Sequence, residues 1–106
     1  MPKRTRKYEE SLIEALKDPK EAAAYLNAHL EEAAEEDAEE LFLVALRDVA
    51  KAYGMTEISE RTELGRESLY KALSESGNPK IRTLWALFNA VGLRMQVEPK
   101  KKVANH

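Results

Sequence analysis

Five side chains in close succession, Arg66, Glu67, Ser68, Tyr70 and Lys71, have the chemistry to read a stacked column of bases. An arginine fork matches the two acceptors on a guanine edge, and a glutamate accepts from the amino group of cytosine. Lysine and tyrosine more often reach phosphate oxygens, which hold a protein in register without specifying sequence. Such a set works only if it stands on the free side of a helix whose other side is anchored. Leu69 and Leu73, four residues apart, provide that anchored side and leave Arg66, Glu67, Tyr70 and Lys71 facing outward.

The anchoring needs a second short helix and a sharp turn. Residues 55–62 make two turns of helix, Glu63-Leu64-Gly65 a tight connection, and residues 66–74 two to three turns more. Ser59 is the small residue where two helices can approach closely, and Ile58, Leu64, Leu69 and Ala72 supply a shared core. In this helix-turn-helix, over about 55–74, the second helix would enter the major groove with its N-terminal residues at the base edges. Thr56 lies in the first turn of the first helix, where unpaired N–H groups favour a phosphate.

Other chemistries find little support. The chain has no cysteine, which excludes disulfides, thiolate metal sites and a cysteine nucleophile, and fits a reducing compartment. His29 and His106 stand far apart in sequence, so neither a metal site nor a histidine-based nucleophile is expected. Glu35-Glu36 and Glu39-Glu40 are adjacent pairs that point apart on a helix. The reading is of a non-enzyme without cofactor or metal. No signal peptide is expected at the start, and the apolar run 41–46 is far shorter than the roughly 20 residues a membrane helix needs, so the expected location is the cytoplasm.

Charge divides the chain. Residues 1–46 carry six basic and twelve acidic side chains, a balance of −6, and residues 47–106 carry eleven basic and seven acidic, a balance of +4. The positive half suits a polyanion, whereas the tract 31–40, with seven carboxylates, would be repelled by one or would serve as a solvated helix end.

Several elements must position the candidate site. Tyr8, Leu12, Ile13 and Leu16 mark a helix over 8–17, ended by Asp18-Pro19, and a second helix after Pro19 carries Ala23, Leu26 and Leu30. A third runs from an N-cap at Asp37 to Tyr53, with Gly54 ending it in a left-handed conformation, and is apolar around enough of its circumference to be the central core helix. Ile81, Leu84, Trp85, Phe88 and Val91 mark a further helix ended by Gly92, with Trp85 and Phe88 expected in the core. Leu93, Met95 and Val97 then alternate with Arg94, Gln96 and Glu98, the period of a strand. With no second strand candidate in the chain, its expected partner is the same strand of another subunit. Lys80 and Arg82 are either a phosphate clamp or solvated charge, the basic start Lys3-Arg4-Arg6-Lys7 is either an arm reaching DNA or a partner or a disordered end, and residues 99–106 read as a polar tail.

The run from Gly54 to Ser74, then Gly77-Asn78-Pro79, Leu87 to Leu93, and upstream Ala22-Ala23-Ala24-Tyr25-Leu26-Asn27 and Leu41 to Gly54, resembles the antidote proteins of bacterial addiction modules. It is similar to prophage DNA-binding proteins and HigA-type antitoxins. The resemblance spans residues 19–98 and is most specific over 66–79. It implies an all-α, lambda-repressor-like (XRE-type) helix-turn-helix domain over 37–98, with an N-terminal helical extension over 1–36 and a short C-terminal β-strand. It also implies a transcriptional repressor of its own operon, with an operator duplex as partner, that binds a cognate toxin of RelE/ParE-like fold encoded beside it. The acidic N-terminal extension is available to that toxin, and the alternating segment, through Leu93, Met95 and Val97, would join the homodimer.

The sequence departs from that pattern at three positions. Glu63 stands where a turn glycine is usual, and a glutamate in a left-handed turn costs about 1 kcal/mol. Gly65 replaces a serine or threonine cap and caps less well by a few tenths of a kcal/mol. Glu57 replaces a phosphate-contacting glutamine. Two other readings fit the same residues: a prophage regulator acting without a toxin, and a protein-interaction module that has lost DNA.

Overall fold

The computed structural model describes residues 5–32, 35–74 and 76–100; the start Lys3-Arg4 and most of the polar tail lie outside them. All regular elements among the described residues are helical. They run α1 (Arg6–Leu16), α2 (Pro19–Glu32), a 3-10 turn (Glu35–Asp37), α3 (Ala38–Tyr53), α4 (Met55–Arg61), α5 (Arg66–Ala72) and α6 (Ile81–Ala90). No described helix is long and apolar enough to cross a membrane.

Local chemistry sets the N-terminal boundaries. Thr5 Oγ1 accepts from the Tyr8 N–H at 3.0 Å and starts α1. Asp18 Oδ1 accepts from the Lys20 N–H at 2.9 Å across Pro19, whose missing donor costs nothing in a first turn.

Helix α3 is the centre of the fold. Leu43, Ala45, Leu46, Val49, Ala50 and Ala52 are buried on it, and α1, α2 and α4 all pack against it. Leu16, Ala22 and Leu26 from α1 and α2 join the same cluster as Ile58, Leu69, Leu73, Leu87, Phe88 and Val91 from the C-terminal half. A polar link crosses this interior: the Tyr25 hydroxyl donates to Asp48 Oδ2 at 2.6 Å, and Asp48 is 5% exposed. Charge-assisted hydrogen bonds of this length are among the stronger ones.

Gly54 separates α3 from α4 by a single residue, at φ 114° and ψ 119°. The φ is positive, as expected, and the ψ is extended rather than helical, so the chain turns instead of winding on. Asp37 flanks α3 as expected, yet its side chain makes no capping hydrogen bond. At the far end the N–H groups of Gly92 and Leu93 return to the carbonyls of Asn89 and Phe88 at 3.2 and 2.8 Å, closing α6 with a Schellman motif.

Three expectations are corrected. Residues 93–98 form no strand: a strand exists only through pairing, and among the described residues this segment has no partner. Its alternation has another cause, because Leu93 and Met95 are half-buried against the chain's own core while Arg94 and Gln96 are exposed. Trp85 is not a core residue. It is 60% exposed and Ile81 69%, whereas Phe88 is 7% exposed. At about 100° per residue Trp85 lies about a third of a turn from the mean direction of Leu84, Leu87, Phe88 and Val91, so the helix cannot bury both. The left-handed strain assigned to Glu63 is also absent, since no described residue other than glycine has positive φ.

Candidate nucleic-acid interface

The site is built on α4, α5 and the residues between them. Ile58 and Leu69 are fully buried and Leu73 is 2% exposed, so each seven-residue helix is held by one side. Two hydroxyls hold the connection. Ser59 Oγ donates to the Leu64 carbonyl at 3.0 Å, and Thr62 Oγ1 donates to the Ile58 carbonyl at 2.8 Å while accepting from the Leu64 N–H at 3.1 Å. Ser59 is therefore a latch as well as a small residue at the crossing. Thr62 belongs to the same latch, and its place just after a helix was a legible signal for this side-chain-to-backbone bonding.

Gly65 precedes α5 at φ −74° and ψ 153°, an extended conformation open to any residue. A Cβ built there would meet nothing within 4 Å. Glycine stands there without steric need, leaving α5 without a side-chain cap.

The loop after α5 is the opposite case. Gly77 donates its N–H to the Ser74 carbonyl at 2.8 Å, and a Cβ on it would lie 2.1 Å from the Ala72 carbonyl oxygen. Here the absence of a side chain lets the loop fold back on the end of α5.

On the free side of α5, Arg66, Glu67, Ser68, Tyr70 and Lys71 are all exposed. None makes a side-chain hydrogen bond or ion pair to another described residue, so their polar groups are available to a ligand. Thr56 is exposed in the first turn of α4, which packs on α5. The six residues expected to touch DNA thus stand on two neighbouring helices. Leu93, Met95 and Val97 do not form one free surface. The first two lie on the chain's own core, and Val97 is 94% exposed.

Glu57 has a neighbour the sequence reading missed. Arg61 Nε lies 3.7 Å from its carboxylate, and the Arg61 guanidinium carbon is 5.5 Å from the Tyr53 ring centre. The i, i+4 spacing of Glu57 and Arg61 was the available signal. The pair is more than half exposed, so it contributes little to stability; its effect is to offset the negative charge beside Thr56. Arg61 also lines a shallow cleft of about 240 Å³ with Leu64, Arg82 and Asn89, between the connection and α6.

Comparison with known proteins gives the chain a family. The chain is 40% identical over 90 residues to an uncharacterized protein of Haemophilus influenzae, an alignment covering 85% of this chain and 89% of that one. No solved structure matches. The family model described as probable addiction module antidote protein matches residues 6–99, nearly the whole described chain from α1 through the segment after α6, and on that match the protein belongs to this antidote family.

Proposed function

We propose that this antidote-family protein neutralises a cognate toxin and also binds its own operator through α5, repressing the operon that encodes both. Membership of the family supports the first role. The second is carried by one observation: α5 is fixed by the fully buried Leu69 while Arg66, Glu67, Ser68, Tyr70 and Lys71 point away from the core. That is the disposition a groove-reading helix of a lambda-repressor-like domain requires, with Thr56 at a backbone phosphate. The operator is read by a homodimer, because half-sites about 34 Å apart need two copies of α5. Of the residues first assigned to subunit pairing, only Val97 offers its side chain freely.

The roles divide along the chain: residues 37–98 face DNA, and the helices within 1–36 face a toxin of RelE/ParE-like fold. Exposed carboxylates such as Glu10, Glu14 and Glu21 can cover a cationic active centre on such a partner.

Fluorescence anisotropy of the labelled upstream duplex, titrated with protein across a salt series, tests the DNA reading. Tight binding with a steep salt slope and discrimination against random duplex is expected. Arg66→Ala should cost about 1–3 kcal/mol at one base position, whereas Lys71→Ala should weaken all duplexes alike and lower the salt slope by about one. Equal affinity for upstream and random DNA would sink the repressor reading and leave the toxin-binding role standing alone.

A further inference from the structure

Among the described residues, Arg47 Nε is the one buried side-chain nitrogen or oxygen without a hydrogen-bond partner. A buried donor left unpaired works against stability, so its retention calls for a reason. Arg47 stands within α3, too far from either end for the helix dipole to account for a cation there. The side chains one turn away, Leu43, Val44, Ala50 and Lys51, include no carboxylate. Asp48 follows it in sequence but is held from α2 by the Tyr25 hydroxyl. Neither Arg47 nor Lys51 makes a side-chain hydrogen bond or ion pair to a described residue.

These two cations share the outer side of α3. Glu40, Val44, Arg47 and Lys51 follow one another there at spacings of four, three and four; Glu40 and Lys51 are exposed, Val44 and Arg47 half-buried. Along the helix axis Lys51 lies about 6 Å from Arg47 and Glu40 about 10 Å, on the far side from the joint at Gly54. Gly54 is seven residues beyond Arg47, so the chain leaves α3 on the same side as the cations. It leads at once into α4, where Thr56 is exposed in the first turn. The cations therefore run up to the phosphate assigned to Thr56. Enclosure of Nε restrains the Arg47 guanidinium, and a restrained fork suits the paired oxygens of a phosphate. A partner with a cationic centre is repelled here: Arg47 opens the stretch of chain whose balance is +4, after one whose balance is −6.

We infer that Arg47 and Lys51 of α3 bind backbone phosphates of duplex DNA next to the one at Thr56. The inference rests on the DNA-binding reading above and extends it to a third helix, outside the residues that the sequence pattern assigned to DNA. These contacts carry no base information. They add affinity for any duplex, fix the protein's position along the backbone, and leave discrimination to α5. The unpaired Nε of Arg47 is then a cost of the free protein that a phosphate partner offsets.

The test compares the full chain with Arg47→Met, Lys51→Gln and Lys20→Gln in anisotropy titrations of the upstream duplex and a random duplex across a salt series. Methionine keeps an apolar stem in the helix and removes the charge and the unpaired donor. Lys51 is exposed, so its replacement leaves the fold intact; Lys20, exposed at the start of α2, is the control for net charge. Arg47→Met and Lys51→Gln should each lower the salt slope by about one and weaken both duplexes alike, by about fivefold near 0.15 M salt. Lys20→Gln should leave the slope in place. Arg47→Met should also melt no lower than the parent, since the arginine is kept for a ligand and not for the fold. Slopes unchanged in both variants, with a parent that still binds steeply, overturn the inference and leave the α5 reading standing. An equal fall with Lys20→Gln overturns it too, because net charge alone then explains the effect. A parent that binds neither duplex removes the DNA reading itself, and this inference with it.

Discussion

The two halves of this molecule hold themselves together by different means. In the N-terminal half, α1 and α2 lie along the sixteen-residue α3, and their contact is broad, apolar and tied by the Tyr25–Asp48 hydrogen bond. In the C-terminal half, α4 and α5 have seven residues each, too short for broad contact. They depend on one or two wholly buried side chains apiece, on two hydroxyls bridging the connection, and on a glycine that lets the chain fold back. Short helices anchored at single points leave most of their surface for a ligand, at the cost of sensitivity to change at each anchor.

Substitution should separate these two modes. The largest expected effect is Gly77→Ala, which forces a methyl group against the Ala72 carbonyl. A loss of about 3 kcal/mol in urea unfolding is expected, with loss of operator affinity because the end of α5 must move. Unchanged stability would mean that the loop yields and that close approach is not what holds it. Tyr25→Phe comes next and probes the other half. It removes a donor from a buried carboxylate and should cost about 1.5 kcal/mol, while leaving the salt slope of DNA binding as it was. A change in that slope would show the halves to be coupled. The smallest effect has the opposite sign. Gly65→Ser supplies the missing cap in open space and should stabilise by about 0.5 kcal/mol, a rise of a few degrees in Tm.

Much of this contrast is legible in the amino-acid sequence, and the exceptions have physical causes. Helical periodicity locates α1, the start of α2, and α3 to α6 within a residue or two, because Pro19, Gly54 and Gly92 punctuate it. The outward and inward sides of α5 follow from the spacing of Leu69 and Leu73. Period alone does not say what an alternating segment rests on. Leu93 and Met95 alternate like a paired strand, yet the Schellman turn at Gly92 returns them to their own core. Trp85 misleads for a related reason: hydrophobicity places a residue on an apolar list, but only its angle about the helix axis decides whether it faces the core or the surface. The Ser59 hydroxyl reaches the Leu64 carbonyl five residues on, through a turn whose shape composition does not encode, whereas Thr62, just after a helix, bonds in the local pattern its position offers.

The one-residue joint at Gly54 has a final consequence, for how the chain tolerates insertion and deletion. With α3 ending at Tyr53 and α4 beginning at Met55, no slack exists to absorb a change of length. One residue added within the last turn of α3 would rotate everything after it by about 100° and lift α4 by about 1.5 Å. Ile58 would then leave the core, and the outward side of α5 would swing to a different bearing. Length variation in relatives should therefore gather in the loop after α5 or beyond residue 92, and be absent between residues 45 and 72.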